Sequence, residues 1–119
     1  MPELTINFDV KPFPKERPRA TRSGMMYTPQ KTRDYEKLLA GMFTEHVGDT
    51  FEPLDCPLHV KVDIASHHVS VTINTLDHKP KGMRGDLDNY VKAVLDALNG
   101  VAWVDDRQIV SVEARKVGP

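Results

Sequence analysis

The chain predicts an α+β fold, two helices packed on a small mixed β-sheet in the order β-α-β-β-α-β. Three observations carry this. Four segments alternate apolar and polar residues with the period of a strand, two others repeat apolar residues at helical spacing, and the two kinds interleave along 119 residues. That length suits one domain, 1–119, and is short for two.

Leu4, Ile6, Phe8 and Val10 alternate with polar neighbours, so 3–10 reads as a strand with one buried face. Pro12, Pro14 and Pro18 then exclude regular structure and leave a basic loop centred on Arg17-Pro18-Arg19. Thr28-Pro29 offers a hydroxyl at the N-cap and proline at the first helical position. Tyr35, Leu38, Leu39, Met42, Phe43 and Val47 follow at helical spacing, and Gly48 stands where a helix-ending glycine belongs. The first helix is therefore expected over 29–47.

Leu58, Val60, Val62 and Ile64 mark a second strand, and Val69, Val71 and Ile73 a third over 69–76. Pro80, Gly82 and Gly85 break 79–85 into an exposed loop. Leu87, Tyr90, Val91, Val94, Leu95 and Leu98 form a second amphipathic helix closed by Asn99-Gly100. Residues 108–117 read as a final strand.

The formal net charge is -1, which excludes a histone-like protein. Its distribution is less bland. Residues 11–37 hold eight Lys/Arg against three acids, a net of +5, while 38–78 hold six acids against Lys61, a net of -5. Counterion release favours phosphate binding wherever several cations converge, whatever the far side carries. Lys15, Arg17, Arg19, Arg22, Lys31 and Arg33 form one candidate DNA-contacting set, and Lys79, Lys81 and Arg84 a second. A solvated charged loop explains the same runs equally well.

The N-terminus lacks a basic stretch followed by an apolar one, and no apolar run approaches the ~20 residues of a membrane span. A soluble, cytoplasmic protein is expected. The lone Cys56 makes no intrachain disulfide and reads as a small buried or half-buried thiol.

Residues 84–107 hold the candidate chemistry. Asp86 and Asp88 stand at the start of the second helix, Lys92 lies one turn on, and Asp105-Asp106 follow the turn after Trp103. Magnesium takes oxygen ligands and keeps several waters, so one or two carboxylates plus phosphate oxygens hold it. A nearby ammonium stabilises charge developing on a phosphoryl group. The same residues also read as an N-cap at Asp88, a charged i,i+4 ladder of Asp88, Lys92 and Asp96, and an ordinary turn at Asp105-Asp106. Spacing alone leaves both readings open.

The whole string decides more. Asp86-Leu87-Asp88-Asn89, Lys92, Leu95-Asp96-Ala97-Leu98-Asn99-Gly100 and Trp103-Val104-Asp105-Asp106-x-Gln108-Ile109 resemble the RusA family of Holliday-junction resolvases. So do Arg17-Pro18-Arg19 and Tyr27-Thr28-Pro29 ahead of the first helix. The resemblance implies a homodimeric, magnesium-dependent endonuclease, often phage- or prophage-borne, that nicks four-way-junction DNA in pairs. Manganese is the alternative ion. Carried onto matching positions, it makes Asp86, Asp88 and Asp106 metal-binding and catalytic, Asp105 an adjacent contributor, and Lys92 the essential lysine. Some members carry several arginines before the first aspartate, where this chain has Arg84-Gly85. The rival expectations are a non-catalytic branched-DNA-binding accessory protein and a less selective nuclease of flaps or single strands.

Other features are blander. The five histidines lack metal-finger spacing, Trp103 reads as a core or interface anchor, and Met25-Met26 as gap-fillers. Without a phosphate-cradling glycine loop, no nucleotide cofactor is expected.

Overall fold

A computed structural model of the chain describes residues 3–15, 18–78 and 81–117. They fall into two compact units, Met1–Asp77 and His78–Pro119.

In the first unit, strands β1 (Glu3–Phe8), β4 (Leu58–Ile64) and β5 (Val69–Thr75) form a sheet in the order β1-β5-β4. Both pairings are antiparallel, so the sheet is not the mixed one expected. The register explains the alternation. Ile6 lies opposite Val71 and Val62 opposite the same residue, while Phe8 and Ile64 both flank Val69. Apolar side chains thus form rows across one face.

Helix α1 (Gln30–Val47) covers the β1 side of that face. Ile6, Phe8 and Val69 are buried, with Val10, Leu39, Met42, Phe43 and Val71 packed around them. Truncating Phe8 to alanine there would cost on the order of 3–5 kcal/mol. Phe43 is braced edge-on by Phe51, with centroids 5.3 Å apart. Every residue of β4 stays exposed, including Val60, Val62 and Ile64. The helix begins one residue later than the sequence predicts. Pro29, with extended ψ, occupies the N-cap, and no side chain caps the helix, so Thr28 is not its cap.

Two further strands, β2 (Arg19–Ala20) and β3 (Met26–Tyr27), pair as a short antiparallel hairpin inside the basic loop. Its turn is closed by Thr21, whose N–H donates to Met25 O at 2.8 Å and whose hydroxyl accepts from Met25 N at 3.1 Å. Gly24 takes φ +87° there, a value that favours glycine. Cys56 is exposed, not buried as expected, because it lies in the irregular stretch before β4.

The second unit is built on α2 (Leu87–Leu98). The expected final strand is absent among the described residues: 106–108 make a single 3₁₀ turn, and 109–117 carry no ladder. Alternation supplies a strand's faces but not its partner, and Val110 is 96% exposed. The segment is held instead by side chains. Lys116 Nζ donates to Met83 O at 3.3 Å and sits 5.9 Å above the Tyr90 ring. No helix among the described residues is long and apolar enough to cross a membrane.

Candidate active site

The geometry around α2 starts from its N-terminus. Asp86 occupies the N-cap with extended backbone, but its carboxylate accepts no cap hydrogen bond. Asp88 lies in the first turn and is not the cap. The preceding loop is fastened by Tyr90, whose hydroxyl accepts from Gly85 N at 3.1 Å. One helical face then carries Asp88, Lys92 and Asp96 at i, i+4 and i+8.

At the other end, Asn99 and Gly100 terminate the helix. Val101 N and Ala102 N both donate to Leu98 O, and Gly100, at φ +80°, donates to Trp103 O at 2.7 Å. This tight reversal brings the chain back beside α2. Asp105 then caps the 3₁₀ turn: its Oδ1 accepts from Arg107 N at 2.8 Å, while Gln108 Oε1 accepts from Asp105 N at 2.8 Å. The Asp105 side chain also accepts from the Gln108 backbone N–H, which with the Gln108 Oε1 bond makes a reciprocal capping box.

A cavity of about 630 Å³ results, lined by the acids Asp88, Asp96 and Asp106, by Lys92, and by apolar side chains including Val91, Leu95 and Ile109. Three of the five sequence-predicted catalytic or metal-binding residues, Asp88, Lys92 and Asp106, thus line one concavity. Asp86 stands at its helix N-cap and Asp105 is engaged in capping, and neither is part of the lining.

The electrostatics separate these groups further. Asp105 is bound to the Arg107 backbone N–H and, at 3.2 Å, to the guanidinium, and these contacts hold its pKa below the usual carboxylate value. Asp106 Oδ1 instead accepts from Trp103 Nε1 at 2.7 Å. Among the described residues Lys92 forms no ion pair within 4.0 Å, so the charged ladder expected with Asp88 and Asp96 is not closed. Its ammonium remains available to an anion in the cavity.

The donor set suits a hard cation. Carboxylate oxygens on a wide-open apolar concavity match what magnesium takes, one or two carboxylates with room for water and phosphate. Among the described residues, no three His, Cys, Asp or Glu side chains close around a single point as a metal cage.

The candidate DNA contacts divide between the units. Arg19 lies on β2 and Arg22 in the hairpin turn, both exposed. Lys15 pairs with Glu36 at 3.5 Å, Arg33 donates to Gln30 Oε1, and Lys31 is exposed on the first turn of α1. Lys81 and Arg84 are exposed in the loop before α2. Arg17 and Lys79 lie outside the described residues.

Two features of the site were not singled out from the sequence. Asp96 stands in the charged ladder and in the Leu95–Gly100 string of the resemblance but was given no site role, although its place two turns beyond Asp88 puts it on the same face. The Trp103–Asp106 bond was missed too, although their i,i+3 spacing brings them within one turn.

Comparison with known proteins bears on the whole chain. Residues 9–119 match the family described as endodeoxyribonuclease RusA. Over 124 aligned positions the chain is 29% identical to YqaN, an uncharacterised protein of Bacillus subtilis (strain 168), covering 93% of this chain and 86% of the relative. No solved structure matches.

Proposed function

Because the chain belongs to the RusA endodeoxyribonuclease family, we propose that it is a magnesium-dependent resolvase of four-way DNA junctions, working in the cytoplasm as a homodimer of one catalytic domain, 1–119. The observation that carries this reading is the cavity on which Asp88, Lys92 and Asp106 meet. Those side chains are what phosphodiester hydrolysis requires: anionic oxygens for a hard cation, and one cation for the phosphate.

Asp88 and Asp106, which line the cavity, would hold the magnesium, or manganese, and Asp86, at the helix N-cap outside that lining, would join them only once the ion is bound. When bound, the ion supplies charge neutralisation at the phosphate and lowers the pKa of water. Lys92 contributes an ammonium to the charge that develops on the phosphoryl oxygens. Its lack of an acidic partner among the described residues supports this role, since a lysine already paired would be partly neutralised. Val91, Leu95 and Ile109 give the site an apolar wall beside these charged groups.

The basic segment around the β2–β3 hairpin would position the duplex arms through phosphate contacts, which set orientation without reading sequence. A two-fold dimer supplies two such centres, matching the near two-fold symmetry of a junction.

The test is cleavage of a synthetic four-way junction by the wild type, D88N and K92A with magnesium. Paired nicks in the wild type, lost in both variants while junction binding persists, are expected. Binding without nicking by the wild type would favour an accessory role, and equal cutting of flaps or linear duplex a less selective nuclease.

A further inference from the structure

Trp103 is the chain's only tryptophan, and its indole N–H is committed to a carboxylate. Nε1 donates to Asp106 Oδ1 at 2.7 Å, at the short end of the range for N–H···O bonds. Both residues are half-buried, so solvent does not freely replace the bond. Indole nitrogen donates and never accepts, so it cannot compete with Asp106 for a cation. The bond engages Oδ1 and leaves Oδ2 without a hydrogen-bond partner among the described residues.

The backbone gives this contact its geometry. The reversal at Gly100 returns Trp103 toward the helix end, its carbonyl held by Gly100 N at 2.7 Å. Three residues later, the capping box of Asp105 and Gln108 fixes the turn that carries Asp106. Of the two adjacent acids, Asp105 is therefore spent on its own turn and on Arg107, while Asp106 is oriented by an aromatic donor and lines the cavity.

We propose that Trp103 is a positioning residue for metal binding: its N–H holds the Asp106 carboxylate in the orientation that presents the free oxygen to the cation. The proposal rests on Asp106 being a ligand, and adds that the indole's restraint strengthens that ligand's hold on the cation. Partners that orient ligands in this way are typically worth 10–100-fold in metal affinity or activity.

The lone indole provides a readout independent of catalysis. In the wild type without DNA, Mn²⁺ should quench its emission saturably, Mg²⁺ should reverse the quench by competition, and D106N should abolish it. W103F keeps a ring and loses only the donor. Measured by the electron paramagnetic resonance of free Mn²⁺, its affinity should fall by about tenfold. Junction cleavage by W103F should need correspondingly more magnesium yet approach the wild-type rate at saturation, a shift that general destabilisation would not produce.

Wild-type Mn²⁺ affinity in W103F, with binding lost in D106N, overturns the role of Trp103 and leaves the site intact. Undiminished Mn²⁺ binding by D106N, or none by the wild type, overturns the site and the proposal with it. Should W103F not fold, by circular dichroism, the wild-type titration decides alone: Mn²⁺ that binds without changing indole emission overturns the proposal.

Discussion

The Gly85 amide donates to the Tyr90 hydroxyl at 3.1 Å, across the turn that delivers Asp86 and Asp88 to the start of α2. A side chain at residue 85 would disturb this contact directly, because an added Cβ would stand 3.0 Å from the Tyr90 ring. The ring is also covered by Lys116, so it cannot simply swing aside without disturbing that contact. The loop that carries the first acids is thereby tied to the helix it precedes.

G85A should displace the ring by a few tenths of an ångström and misplace the acid pair. Y90F should lose only the hydrogen bond, worth about 1 kcal/mol or less at an exposed site. Junction cleavage at fixed magnesium should fall in both variants, more in G85A, while far-ultraviolet circular dichroism melts move by only a few degrees. Unchanged cleavage in G85A would mean that the loop adapts without consequence.

Asp86 permits a clean separation of structure from chemistry. An aspartate N-cap usually contributes about 1 kcal/mol through its side-chain hydrogen bond, but the Asp86 carboxylate makes none. D86A should therefore leave thermal stability within about 0.5 kcal/mol of the wild type. Any collapse of cleavage then reports a lost ligand, not a lost helix. A large drop in stability would show that Asp86 caps α2 in solution.

The neighbouring pair should behave in opposite ways. Asp105 closes a capping box and binds Arg107, so D105A is expected to loosen the 106–108 turn at a cost of about 1 kcal/mol and reduce cleavage only indirectly. D106A removes a cavity-lining carboxylate and the acceptor of Trp103 Nε1, so it should abolish cleavage while costing about 1 kcal/mol of stability. Equal loss of activity from both at saturating magnesium would contradict this division.

How much of this was legible in the sequence follows from what each feature depends on. The main strands and helices were readable because repeated apolar positions mark one face of each, including faces that stay exposed here, as on β4 and α2. The hairpin of Arg19–Ala20 and Met26–Tyr27 was not: strands of two residues have no period, and the prolines nearby argued against any ladder. The last strand failed for the opposite reason. Val110, Val112 and Ala114 supply a pattern, but a ladder needs a partner backbone that the pattern does not encode. At the site, the grouping of Asp88 and Lys92 on one face was fixed by helical spacing. The different employment of Asp105 and Asp106 was not, since it turns on rotamers and on which neighbour donates. Even so, Asp105-x-x-Gln108 is a capping-box signature that spacing exposes.

The basic hairpin makes a quantitative claim about salt. Each phosphate neutralised by a lysine or arginine releases counterions, and log affinity falls with log salt at a slope of about 0.9 per contact. Arg22 is presented by a turn closed with two bonds from Thr21 to Met25, so its guanidinium needs little reordering of the backbone to meet a phosphate. R22A should weaken junction binding and lower the magnitude of the salt slope by about one unit, with discrimination between junction sequences unchanged. Lys15 is different, because Glu36 already partners it at 3.5 Å. E36Q should release that lysine and raise affinity at low salt, with the gain vanishing as screening increases. Filter-binding isotherms from low to moderate salt measure both effects. A slope unaltered by R22A would remove the hairpin turn from the DNA-contacting surface, and unaltered affinity in E36Q would show that Lys15 makes no phosphate contact.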